Sequence, residues 1–154
     1  MENVRALAAS EHRRHTRFQR ILIGYDGSEQ SEKAADAAIT IARCLDAYVL
    51  ALAVARPPEP PTSVEMEAAL DDAREHFEAG LKKVVERAQE QGVTIETDFA
   101  VGHPGEQLIH RAEQDHFDLI IVGRRGTSLF QKMILGSVSE RVLRYAHCPV
   151  MVVK

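Results

Sequence analysis

The chain reads as an α/β protein: one doubly wound domain with a five-stranded parallel sheet, strand order 3-2-1-4-5, and helices on both faces. Two features of the sequence predict this. Strand-like and helix-like segments alternate from residue 20 onward, and each connection is long enough for a right-handed crossover. The strand-like runs at residues 21–23 and 119–122 are also uninterrupted aliphatic, as befits strands covered on both faces.

The first strand is "RILIGY", ending at the turn Gly24-Tyr25-Asp26-Gly27. A helix follows, with Ala34, Ala35, Ala38, Ile41, Ala42 and Leu45 at helical spacing. "YVLALAVAR" is the second strand, and the proline run Pro57–Pro61 after it is an extended spacer. Thr62 and Glu65 form a capping box that opens a helix to about Gln91, with Gly92 just past its end. "VTIETDFAVG" alternates in polarity, which suits a strand with an exposed face or an edge position. Pro104 suits the first turn of a helix that runs to Asp115. The fourth strand, Leu119 to Val122, leads into a long loop; Ser137 to Ala146 is the last helix and "PVMVV" the last strand.

Composition narrows the function classes. The 154 residues are 45% apolar and 27% charged, as in an ordinary globular domain. No run of about 18 apolar residues exists to span a membrane, and the N-terminus does not read as a secretory signal. Residues 1–19 are expected to be a basic, disordered tail, with the folded domain at 20–154. The first 20 residues sum to +3 and the remainder to −7, which argues against a nucleic-acid surface on the body. Cys44 and Cys148 read as buried small hydrophobes, in keeping with a cytoplasmic location. None of the 7 histidines has a metal-ligand spacing, and those on helices read as surface residues. Nucleophile elbows and the Walker phosphate loop are absent as well.

Ligands of such sheets bind beyond the carboxyl ends of the strands, where the strand order reverses. There the first strand ends in Gly24-Tyr25-Asp26-Gly27-Ser28 and the fourth in Gly123-Arg124-Arg125-Gly126. Glycines let the backbone approach an anion or turn with positive φ, and the helix opening at Gly136-Ser137 offers unpaired N–H donors. Taken singly, these pieces have plainer explanations. Ser137 and Glu140 could form a capping box, and Gly123 and Gly126 could serve only the turn.

The joint spacing Gly123-x2-Gly126-x9-Gly136-Ser137 after an aliphatic strand resembles the ATP-binding signature of the universal stress protein family. The resemblance covers about residues 20–154 and includes Asp26, the turn Val101-Gly102-His103-Pro104 and Pro149. It implies that the main chain at Gly24-Tyr25 and Val54 frames an adenine, with Asp26 near the ribose or a phosphate-bound metal. Val122 and Gly123 would lie against the ribose, and Gly126, Gly136, Ser137, Val138 and Ser139 would hold the phosphates. Arg124 departs from the family's small hydroxyl residue and would either reach the phosphates or fill part of the pocket. The ligand implied is ATP, ADP or AMP, with Mg2+ on the phosphates.

Three functions follow: a binding module that acts through nucleotide occupancy, a slow ATP hydrolase or phosphotransferase using the same pocket, or a dimeric interaction module that binds no nucleotide. No catalytic residue is assigned, since Asp26 is the only evident metal-anchoring acid and no general base is well placed. The last strand, Pro149 to Lys154, is expected at a sheet edge and to pair with its copy in a homodimer.

Overall fold

The computed structural model describes residues 18–57, 62–124 and 135–154. Gly126, Arg125, most of the basic tail and most of the proline spacer lie outside them. The elements are β1 (Arg20–Tyr25), α1 (Glu29–Leu45), β2 (Tyr48–Ala55), α2 (Ser63–Glu90), β3 (Ile95–Val101), α3 (Pro104–Gln114), β4 (Leu119–Gly123), α4 (Ser137–Tyr145) and β5 (Val150–Val153). All five strands pair in parallel in the order β3-β2-β1-β4-β5. The order of strand addition thus reverses between β1 and β4, and β3 and β5 form the edges, as the sequence predicts.

Side-chain alternation along the strands divides the core in two. Ile21, Ile23 and Tyr25 face α1 and α2, where they meet Ala34, Ala38, Leu81 and Val84. Leu22, Leu52, Ile120 and Val122 face α3 and α4, where they meet Leu108, Ala112 and Val142. The small residues of α1 let it lie close on the sheet. Its buried stripe includes Ile39, whereas Ile41 and Leu45 are only half-buried.

Local signals set the helix ends. The Ser28 side chain accepts from the Ser31 N–H and caps α1, and Asp46 closes it in the left-handed region at φ 56°. The Thr62–Glu65 capping box opens α2, and Gly92 follows its end at φ 74°. Pro104 sits in the first turn of α3.

Between α1 and α2, the Tyr25 hydroxyl donates to Glu32 Oε1, and Arg87 pairs with Glu32 and Asp36. Burial, and then the Glu32 carboxylate, push the Tyr25 hydroxyl far above the ordinary phenol range, so it stays a neutral donor. Gly80 of α2 leaves the space that this hydroxyl occupies.

The cysteines correct one expectation. Cys44 is exposed and Cys148 only half-buried. Two residues past buried Ala42, Cys44 is rotated by about 200° around the helix and so leaves the packed stripe. Among the described residues no helix is long and apolar enough to cross a membrane.

Candidate functional site

The reversal point between β1 and β4 opens into a cavity of about 410 Å³, within the size range of small-ligand sites. Each element reaches it for a local reason. The end of β1 contributes Gly24, Tyr25 and Asp26, β2 contributes Leu52 and Val54, β4 contributes Val122 and Gly123, and α4 contributes Ser137, Val138 and Ser139 behind Gly136. The two strand ends and the helix start singled out by the glycine spacing therefore meet in space. Arg124 is not among the lining residues.

The Tyr25 ring is buried on the α1/α2 side of the sheet. The Asp26 Oδ1 accepts from the Ser28 N–H at 3.0 Å, folding the turn that starts α1. A Cβ on Gly24 would stand 2.8 Å from Leu108 Cδ1, so this glycine keeps the β1 end close to α3.

Gly123 and Gly136 do not use positive φ: among the described glycines only Gly27, Gly92 and Gly102 do. Gly123 is needed for close approach. A Cβ there would lie 2.8 Å from the Gln30 carbonyl carbon and 2.9 Å from its oxygen. The first turn of α1 therefore crosses directly over the end of β4.

The start of α4 differs from the capping-box alternative. Gly136 is the N-cap at φ −74°, no side chain caps the helix, and Ser137 is its first residue. The reason is long-range. The Gly136 N–H donates to the Arg124 carbonyl at 2.8 Å, and the Ser139 hydroxyl binds the carbonyls of Arg124 and Gly136. These bonds pin the helix start to the end of β4. The Arg124 N–H in turn donates to the Val153 carbonyl at 2.7 Å, so one residue ties β5, β4 and α4 together.

Two consequences bear on chemistry. Capping does not account for Ser137, whose hydroxyl makes no cap bond. Ser139 is 1% exposed and its hydroxyl is committed to structure, which leaves its N–H as what it can offer the cavity. The first bond within the turn is from the Glu140 N–H to the Gly136 carbonyl at 2.9 Å. The N–H groups of Ser137, Val138 and Ser139 thus lack an acceptor within the helix, and the dipole adds positive potential there. The arrangement can receive an anion.

Part of the lining is apolar and aromatic. Phe77 of α2 packs edge-on against Tyr25 at 6.4 Å between ring centroids, and His76 packs against Phe77 at 4.7 Å. Sequence reasoning missed Arg56, His76, Phe77, Pro104 and Leu108 as lining residues. His76 in particular reads as a surface histidine on a helix, and only the docking of α2 brings it to the cleft. The alternation Leu50, Leu52, Val54 was the one signal for Arg56: it comes next on the same face as β2 ends. Asp26 is the only carboxylate lining the cavity among the described residues, and no cluster of three potential metal ligands occurs among them.

Known proteins share this fold. A model of the universal stress protein family matches residues 17–154. A universal stress protein of Methanocaldococcus jannaschii is 39% identical over 141 residues, which is 89% of this chain and 82% of that protein. The structure of a universal stress protein from Lactobacillus plantarum superposes with a TM-score of 0.82 at 25% identity, over 90% of this chain and 99% of that one. A universal stress protein solved in complex with cAMP gives a TM-score of 0.72 at 29% identity, over 90% of this chain and 99% of the other. Sheet order, reversal-point cavity and a match along nearly the whole folded length lead to one conclusion: the chain belongs to the universal stress protein family.

Proposed function

We propose that the protein is an adenine-nucleotide binding module, with ATP as ligand, that acts through occupancy of the cavity at the β1/β4 reversal. The observation that carries this reading is the row of N–H groups at Ser137, Val138 and Ser139, without acceptors within the helix, at a cavity that Leu52, Val54, Phe77 and Leu108 also line. A relative solved with cAMP supports an adenine nucleotide as the ligand class. In this reading the phosphates lie on Gly136, Ser137, Val138 and Ser139, with Gly126 from outside the described residues. The ribose lies against Val122 and Gly123, and the adenine between Val54 and the main chain of Gly24 and Tyr25. Asp26, as a single carboxylate, fits a Mg2+ ion carried mainly by the phosphates, since that ion keeps most of its ligands as water and phosphate oxygen. When bound, the ion would neutralise phosphate charge. Because Asp26 is engaged by the Ser28 N–H and no second lining carboxylate accompanies it among the described residues, the reading is of binding rather than turnover.

ATP with magnesium is expected to stabilise the native state by about 2.7 kcal/mol at a hundredfold excess over Kd. For a domain of this size that is a rise of roughly 5–10 °C in Tm. No displacement in a thermal series up to millimolar ATP would refute the reading.

We further propose a homodimer through β5. The carbonyls of Pro149 and Val153 bond to β4, so by strand alternation Val150 and Val152 direct their N–H and C=O groups to the open edge. Met151, 36% exposed, adds apolar surface there. An open apolar edge invites pairing with its copy. Val152→Pro removes one outward donor without touching the ladder to β4, and it is expected to leave a folded monomer. Light scattering should read twice the 17.1 kDa chain mass for the wild type and the single mass for the variant. A wild-type monomer at micromolar concentration would overturn the proposal.

A further inference from the structure

A second cavity, of about 340 Å³, adjoins the first and shares Arg56, Pro104, Ser137 and Val138 with it. It runs along α4 past the start of α3, and Arg141, Arg144 and Tyr145 line its far part. Ser137 and Arg144 are seven residues apart, so the groove follows about 10 Å of helix. Three arginines stand against two carboxylates, Glu140 in the lining and Glu106 beside it, on a chain whose residues 21–154 sum to −7. Positive charge gathered in a concave groove on an acidic body concentrates anions.

The cations are held in place. Gly105 has no Cβ, and the Arg141 stem packs into that space: an added Cβ would meet Arg141 Cβ and Cδ at 3.1 Å. The Arg141 guanidinium pairs with Glu106 and lies 5.8 Å from the Tyr145 ring centroid. Arg144 is set by Glu140 one turn back, at 3.1 Å. Arg56, at the junction of the two cavities, has no hydrogen bond or ion pair among the described residues. Placed where the two cavities meet, Arg56 can contact a ligand that passes between them.

We propose that this groove is a second anion subsite, and that the ligand able to fill both cavities is a dinucleoside polyphosphate. Resting on the nucleotide reading above, the chain leaves the N–H groups of Ser137 and Val138, passes Arg56 and continues along Arg141 and Arg144. Its second base reaches Tyr145, whose ring is 54% exposed; aromatic rings of this kind stack on bases regardless of sequence. Arginine suits this task because its planar fork binds phosphate oxygens in pairs and stays charged.

The test is calorimetric titration of the full chain with diadenosine tetraphosphate and with ATP. The wild type should bind the dinucleotide roughly tenfold more tightly or better, the size expected when charge-assisted bonds are added. In the double variant Arg141→Ala, Arg144→Ala that advantage should vanish while ATP affinity stays within about twofold, since neither side chain lines the first cavity. The lysine pair Arg141→Lys, Arg144→Lys should recover part of the advantage, which separates charge from packing. A dinucleotide that binds no more tightly than ATP, or an advantage that survives in the alanine pair, would overturn the groove. Dinucleotide binding that depends on Arg141 and Arg144 in a protein that ignores ATP would remove the mononucleotide reading and leave the groove standing. Binding of neither ligand would remove both.

Discussion

Replacing Gly123 with alanine is expected to destabilise the domain by about 3 kcal/mol or more, at the upper end of overpacking costs. The conformation is not the obstacle, since Gly123 lies outside the left-handed region. The obstacle is the first turn of α1: the new methyl would fall 2.7 Å from Gln30 Cβ and within 2.9 Å of its carbonyl group. A flexible side-chain tip could swing away, but the backbone here cannot. It belongs to the turn capped by Ser28, and the next residues, Ser31 and Ala34, are buried. Either α1 lifts from the sheet or the end of β4 bends away, and both strip contacts from the core on the α1/α2 side. Chemical denaturation should show the loss as a lower midpoint with an unchanged slope. A variant as stable as the wild type would mean that α1 does not cross β4 as closely as described.

Gly136→Val is expected to do the reverse, with the fold kept and nucleotide binding lost. Gly136 sits at φ −74° and ψ 156°, an extended conformation that valine accepts. Its N–H still reaches the Arg124 carbonyl in the variant, because valine keeps that donor. A cap position costs little when glycine is replaced by a residue that cannot cap, about 1 kcal/mol. The branched side chain, however, would stand in the cavity that Gly136 lines, beside the N–H groups of Ser137 and Val138. Under the proposed function this should remove the ATP-induced rise in Tm entirely, with far-UV circular dichroism unchanged. A folded Gly136→Val that binds ATP like the wild type would place the phosphates elsewhere. An unfolded one would show that the glycine serves the chain turn.

The contrast between these two glycines shows how far sequence reasoning reaches. Both belong to one spaced motif; with the reversal of strand order it pointed to the ends of β1 and β4 and the start of α4, which do meet. It did not distinguish a cavity glycine that also makes room for a neighbouring helix, Gly123, from one without that contact, Gly136. That difference depends on where Gln30 lies, more than 90 positions away along the chain. The residues missed at the site share this origin. Arg56, His76 and Phe77 come from a strand end and a long helix that carry no local mark of a ligand.

What the sequence determined by itself is what short-range physics governs. Alternating strand and helix segments, the aliphatic central strands, the Thr62–Glu65 box, Gly92 and Pro104 each follow from hydrogen bonds and dihedral limits within a few residues. The edge position of β3 followed from its mixed pattern, since buried runs belong in the middle of a sheet. The tertiary structure decided what depends on distant partners. Cys44 faces outward because the buried stripe of α1 turns away from it. The start of α4 at Gly136-Ser137 was legible in the sequence, but what holds it was not: the Arg124 carbonyl binds both the Gly136 N–H and the Ser139 hydroxyl, in place of a capping box. A capping pattern states which residue is able to end a helix. Which residue does so is settled when a carbonyl from another strand offers a buried donor its better acceptor.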